Sequence, residues 1–267
     1  MAVLTISREL GSGGREIASG VAEALGYELV DKETLLADIR SHGPRWEQWS
    51  KDLDEHAPSV WEKYDWSFRG FVALMQSLLF QYALQDRAVL LGRGANFLLK
   101  EIPYALRVRI TAPLESRIRR IMSRELVNEN TARWLVEKSD RERHGFIHTI
   151  YGKDWNDPLE YDLLIDSSST PLADIVGRLV ELLRARDPLC DEECRNRLKM
   201  RAEAARVKAG LLTDPRLFIP TLDVEFDGRD FVLRGVIHNP REHKLIERAA
   251  RKLAGELPLR CELHYRR

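Results

Sequence analysis

The feature that most constrains this chain is a glycine cluster placed where a strand gives way to a helix. Ala2 to Ser7 is rich in β-branched and apolar residues. Ser7-Arg8-Glu9-Leu10-Gly11-Ser12-Gly13-Gly14-Arg15-Glu16 follows, and Ile17, Val21, Ala22 and Leu25 then share one helical stripe. A glycine-rich turn between a strand and a helix aims successive backbone N–H groups into one concavity, and the helix dipole adds about half a positive charge there. The chemistry that fits is a bound anion, phosphate above all. A βα turn that needs glycine only for its backbone angles is the simpler alternative, but four small residues in a row at the first βα junction favour phosphate.

The rest of the first 186 residues repeats the same grammar. Further short apolar runs occur at Tyr27 to Val30, Ala88 to Leu91, Leu106 to Thr111 and Tyr161 to Ile165, with helical patterns such as Pro113 to Asn128 and Pro171 to Arg186 between them. Strands that alternate with helices predict a doubly wound α/β domain with a five-stranded parallel sheet. The stretch up to about Gln85 is mostly helical. Its tryptophans, Trp46, Trp49, Trp61 and Trp66, read as packing residues.

Residues 187–196 turn polar and read as a linker. From 197 to 267 the pattern changes to helix (Arg197 to Leu212), strand (Thr221 to Phe226), a turn at Asp227-Gly228, strand (Asp230 to Ile237), helix (Arg241 to Leu253) and strand (Leu259 to Tyr265). A DG pair between alternating runs is a hairpin signal. The expectation is a second, small α+β unit of order αββαβ.

Charge and cysteine content narrow the class further. Lys and Arg number 42, and so do Asp and Glu, which gives no general electrostatic case for binding nucleic acid or an anionic membrane. No run approaches the roughly 20 apolar residues that cross a bilayer, and the N-terminus does not read as a signal peptide, so the sequence predicts a cytoplasmic protein. Cys190 and Cys194 flank a charged stretch with no His or further Cys nearby, which is poor metal chemistry. His144 and His148 are four apart without a carboxylate partner in metal spacing, and read as surface residues.

The glycine loop departs from GxxxxGK[ST]. With Gly13 as the anchor, Gly14 occupies the Lys position and Arg15 the Ser/Thr position that would ligate Mg²⁺. Arg15, one residue further on, can supply the missing charge, and its planar fork grips two oxygens at once. Glu16 is a candidate for a water-mediated Mg²⁺ contact, or a first-turn acid favoured by the helix dipole.

The string SRELGSGGREIA with LGYELVDKE resembles the start of the cytidylate kinase-like family. LLGRGANFLL (Leu90 to Leu99), APLESRIRRIMSRE (Ala112 to Glu125) and DRERHGFIHTIYGKDWNDPLEYDLLIDSSS (Asp140 to Ser169) continue the resemblance in order. It covers about residues 1–186, and implies an ATP- and Mg²⁺-dependent transfer of a phosphoryl group to a nucleoside monophosphate of the CMP type. On that resemblance Gly11, Ser12, Gly13, Gly14, Arg15 and Glu16 hold the donor, with Arg120 and Arg124 of the following arginine helix near its phosphates. Arg93, between Gly92 and Gly94 at the end of a strand, takes the acceptor phosphate; Asp31 and Asp140 lie on the acceptor side, and Arg141 and Arg143 close over the phosphates as a lid. Arg117, Arg120 and Arg124 share one helix face, which also fits simple pairing with Glu115 and Glu125.

Residues 197–267 resemble a BON domain, a module associated with phospholipid or other ligand binding. The supporting string is Gly210 to Tyr265, notably LLTDPR and LRGVIHNPREHKLIERAARKLAGEL. Over 187–267 there are 17 basic against 14 acidic residues, too small a surplus for strong attraction to anionic lipid, so the expectation is a module that binds an unknown ligand or partner. A nucleotide-binding regulatory module without turnover, and a kinase for another small molecule, are the competing functional readings.

Overall fold

The computed structural model describes residues 1–50, 57–59, 62, 65–219 and 221–265. Its first sheet holds five parallel strands: β1 (Val3–Arg8), β2 (Glu28–Val30), β3 (Ala88–Leu91), β4 (Ala105–Thr111) and β5 (Leu163–Asp166), in the order β2-β3-β1-β4-β5. β1 is central because its side chains are almost wholly buried. It pairs on one side with β3 (Leu4 opposite Val89) and on the other with β4 (Leu4 opposite Leu106). The sequence-predicted strands are all present, with ends shifted by at most two residues.

The helices are α1 (Gly14–Leu25), α2 (Lys32–Ser41), α3 (Glu47–Ser50), α4 (Trp66–Leu84), α5 (Ala95–Leu98), α6 (Leu114–Glu125), α7 (Glu129–Tyr151) and α8 (Leu172–Arg186). Two apolar layers flank the sheet. On one face Ile17 and Val21 of α1 meet Ile175 and Leu179 of α8. On the other, α2 and α4 enclose Leu35, Ile39, Trp46, Phe71 and Met75. Trp46 is fully buried, while Trp49 and Trp66 pack at the margins of the cores; Trp61 lies outside the described residues. Side-chain caps start these helices where the sequence has Asp or Asn. Asp31 accepts from the Thr34 N–H, Asp65 from Ser67 and Phe68, and Asn128 from Thr131.

The C-terminal part differs from the expected outline at its start. After a 3₁₀ turn at Asp187–Leu189, α9 runs from Glu192 to Thr213, so it begins before Arg197. The reason is the CDEEC stretch itself. Asp191 caps the helix by accepting from the Cys194 N–H at 2.8 Å, and Glu192 and Glu193 occupy the first turn, where the dipole favours acids. β6 (Thr221–Phe226) pairs antiparallel with β7 (Phe231–Ile237), which pairs parallel with β8 (Leu259–Tyr265), and α10 (Pro240–Ala254) packs on this three-stranded sheet.

The long α9 serves two cores. Cys194, Leu198 and Ala202 join the core of the five-stranded sheet, whereas Val207, Leu211 and Leu212 join that of the small sheet. α4 lies alongside, and its Gly70 brings the backbone close enough that an added Cβ would sit 3.0 Å from the Leu212 carbonyl oxygen. Leu198→Ala should therefore cost about 2–5 kcal/mol, the usual range for a buried Leu truncation, and lower the denaturation midpoint of the whole chain. Denaturant titration followed by the tryptophans of the first domain and by far-UV dichroism measures it.

Candidate functional site

The glycine loop sits at the carboxyl ends of the parallel strands, between the last residue of β1 and the first turn of α1. Gly13 is the N-cap of α1 and brings no side-chain hydrogen bond to the helix start, which leaves first-turn N–H groups available to an anion. The loop closes on itself through Ser12, whose N–H and hydroxyl both donate to the Glu9 carbonyl. Gly11 has φ +82°, and a Cβ there would lie 2.8 Å from the Arg117 carbonyl oxygen, so this position admits only glycine.

Beneath the loop is a nearly buried ionic network. The Glu9 carboxylate accepts from the Ala112 N–H at 3.1 Å and stands 3.3 Å from Arg117 Nε and 3.6 Å from Arg109 Nη2. Arg117 also donates to the Ala112 and Leu10 carbonyls and to Asp140 at 2.6 Å. Arg109 lies over the Trp155 ring at 4.1 Å and donates to the Trp155 carbonyl and the Asn156 side chain. The Trp155 indole N–H in turn donates to Ser7 Oγ at 2.8 Å.

Beside the loop three arginines converge. Arg8 ends β1, Arg93 follows β3, and Arg143 projects from α7; with Ser7, Asn96 and Trp155 they line a cavity of about 30 Å³. Arg93 is buried and holds φ +57° between two glycines of positive φ. Tyr151 fixes this turn: its hydroxyl donates to the Arg93 carbonyl at 2.6 Å, and its ring fills the space where a side chain at Gly94 would go. Burial, then the like charges of Arg8 and Arg143, drive Arg93 well below its usual pKa. Burial and the Arg8 charge push Arg143 down to about 9, and burial with Arg15 nearby pushes Arg8 down to about 10. Arg8 and Arg143, at about 10 and about 9, remain cations at neutral pH. Their mutual repulsion is a cost that an anion in the cavity removes.

The predicted donor residues lie around a second cleft of about 290 Å³, lined by Gly11, Gly13, Glu16, Arg120, Arg124 and Leu172. Arg120 is partly committed: it donates to the Gly11 carbonyl and to Ser167. Arg124 is exposed and pairs with Glu125. Gly14 and Ser12 are buried within the loop. Arg15 points away from this cleft. It forms a 2.9 Å ion pair with Asp31 and lies 3.6 Å from Glu33. Burial alone would raise the Asp31 carboxyl, but the Thr34 N–H, its neighbours and Arg15 hold it below its ordinary value. Arg141 is exposed beside Glu137, on a different face of α7 from Arg143. Asp140 accepts from the Leu10 N–H at 3.4 Å and from Arg117, under the loop.

Glu9, Arg109, Trp155 and Tyr151 escaped the sequence reading as site residues. One signal was present: Arg107 and Arg109 interrupt a run read as a strand buried on both faces, and a buried guanidinium requires partners. Among the described residues no group of three or more His, Cys, Asp or Glu could hold a metal ion; the Ser12 hydroxyl donates its proton to the Glu9 carbonyl and keeps its oxygen lone pairs, and Asp31 is engaged by Arg15.

A glycine loop opening α1 at the carboxyl edge of a 2-3-1-4-5 parallel sheet, with guanidinium groups gathered beside it, defines an α/β domain of the kinase type. The chain belongs to the cytidylate kinase-like family, whose model matches residues 3–169. The cytidylate kinase of Pyrobaculum aerophilum is 28% identical over 179 residues, covering 66% of this chain and 89% of that one. That of Pyrococcus furiosus is 25% identical over 167 residues, covering 62% and 80%. A uronate isomerase of Corynebacterium glutamicum is 32% identical over 111 residues, 40% of this chain, and the match spans only 21% of that protein. Among solved structures, an uncharacterized protein from Eubacterium ventriosum superposes with a TM-score of 0.54 at 23% identity, over 69% of this chain and 99% of that one. That last likeness concerns the fold.

The repulsion among the three arginines yields a test of the cavity. Inorganic sulfate or phosphate at millimolar concentration should raise the melting temperature of the wild type at constant ionic strength, and raise that of Arg143→Met less. Differential scanning fluorimetry against chloride measures both.

Proposed function

We propose that this protein transfers the γ-phosphoryl group of ATP to the phosphate of a nucleoside monophosphate, of the CMP type. The observation that carries the reading is the convergence of Arg8, Arg93 and Arg143 one step from the glycine loop. An acceptor phosphate held by the arginines would face a donor whose phosphates rest on the N–H groups of the loop and of α1. An acceptor oxygen forms the new bond to the γ-phosphorus, the bond from that phosphorus to the β–γ bridging oxygen breaks, and the nucleoside diphosphate leaves with the electron pair. Such a reaction asks the protein for position and positive charge more than for covalent chemistry. Arg143, attached to α7 and facing both groups, is assigned the charge that develops between them.

The cleft beside Arg120, Arg124 and Leu172 is assigned to the donor nucleoside, and Asp31 with Arg15 to the acceptor side of the loop. Arg15 reaches the donor phosphates in this reading by exchanging its partner Asp31 for them. Arg141 and Asp140 stand further from the reacting groups, the first available to the donor in a closed state. A divalent ion carried by the donor's own phosphates would add charge there. The small C-terminal unit is proposed as a BON-like module that binds a separate ligand, and residues 187–196 as the junction to it.

A second reading keeps nucleotide binding without transfer, and the Arg15–Asp31 pair favours it, because the loop's own cation is then turned from the donor. Turnover separates the two. A coupled assay of ADP release across CMP, dCMP, UMP, AMP and GMP should show activity with a cytidine nucleotide; binding without release of ADP from any of them supports the second reading. For Arg15, isothermal titration of ATP should show affinity falling about 10- to 150-fold in Arg15→Ala, the value of one charge-assisted contact. Equal affinities would move that role to Arg8 and Arg143.

A further inference from the structure

Two side chains one turn apart on α7 hold the same short stretch of backbone. Arg143 Nη1 donates to the Arg8 carbonyl at 2.9 Å. Asp140 accepts from the Leu10 N–H at 3.4 Å with one oxygen and from Arg117 Nη1 at 2.6 Å with the other. Arg117 Nη1 closes the ring by donating to the Leu10 carbonyl at 3.3 Å. Residues 8 to 10, the root of the glycine loop, are thus gripped at three backbone groups, the Arg8 carbonyl and the Leu10 N–H from α7 and the Leu10 carbonyl from Arg117.

The same helix reaches the arginine cavity. Arg143 lines it with Arg8 and Arg93, and Arg143 Nε is buried without a hydrogen-bond partner among the described residues. A buried donor left without a partner is costly, and an anion that satisfies it gains that much in binding. Such an anion draws Arg143 inward and removes the repulsion that keeps Arg8 and Arg143 apart. Because Arg143 and Asp140 are i and i+3 on one helix, a displacement of α7 at Arg143 is carried to the 3.4 Å Asp140–Leu10 contact.

We propose that Asp140 is a positioning residue that ties the arginine cavity to the glycine loop, so that an anion in the cavity firms the loop for a second group of phosphates. This rests on the phosphotransferase reading for its purpose, though not for its geometry. Its consequence is cooperative binding: each site pays part of the ordering that the other needs. The competing explanation for Asp140 is plain ion pairing with Arg117, which would stabilise the fold and leave the loop indifferent to the cavity.

Hydrogen–deuterium exchange of the full chain distinguishes them, with inorganic phosphate as the probe of the cavity. Phosphate should slow exchange of amides 9–14 in the wild type by at least about fivefold, the lower end of ordinary coupling between sites. In Asp140→Asn that slowing should vanish while phosphate still raises the melting temperature; Asp140→Glu, which keeps the carboxylate, should recover part of it. Arg143→Met leaves Asp140 and Arg117 in place and should also lose the slowing, a check that stands if Asp140→Asn does not fold. No slowing in the wild type, or equal slowing in Asp140→Asn, overturns the proposal. Slowing without ADP release from any nucleoside monophosphate keeps it and removes the phosphotransferase reading; ADP release without slowing does the reverse.

Discussion

The arrangement around the loop depends on one buried pairing, that of Arg117 with Glu9 and Asp140. A guanidinium withdrawn from water is tolerated only when its donors are met, and Arg117 meets them with two carboxylates and two backbone carbonyls. These four partners come from three parts of the chain: Glu9 and Leu10 from the loop, Ala112 from the end of β4, and Asp140 from α7. The charge that must be satisfied therefore fixes where those parts lie. Glycine at position 11 follows from it, since Arg117 occupies the space below. Removing either carboxylate would leave a buried cation short of partners, which is why such networks are stiff.

Against that stiff floor the cavity beside it is frustrated. Arg8, Arg93 and Arg143 are withdrawn from water beside one another, and burial first and neighbouring like charges second hold their pKa values below the ordinary range. A fold selected only for stability would replace one of them. Keeping all three concentrates unspent electrostatic energy at one point, where a ligand of the right sign can release it. The turn that carries Arg93, with three successive residues of positive φ held by Tyr151, belongs to the same economy.

Much of the architecture was legible in the sequence because buried parallel strands are continuous apolar runs and glycine punctuates them. β3, β6 and β8 have the bounds read from the sequence, and the glycine loop stands at the first βα junction as expected. The site was legible in part. Arg93 and Arg143 could be named from their motifs, and they meet. What spacing could not reveal is partner choice: Arg15 turns to Asp31, and Asp140 lies under the loop. Those outcomes depend on how helices distant in sequence cross the sheet edge, and one residue's rotation on a helix decides them. Arg141 and Arg143 illustrate this, two positions apart and facing different ways. The start of α9 was obscured for a local reason, since a polar, acidic stretch reads as a linker and serves equally as a helix cap.

Because α9 lends its first half to one core and its second half to the other, the C-terminal unit is not detachable baggage. A lineage that lost it would have to recoat the exposed flank of α4, and one that gained it had to supply Cys194, Leu198 and Ala202 together with the sheet beyond. Shuffling by simple fusion at a flexible seam does not produce such a joint. Any displacement of the small sheet has a helix, rather than a tether, along which to reach the helices that wall the kinase-like domain.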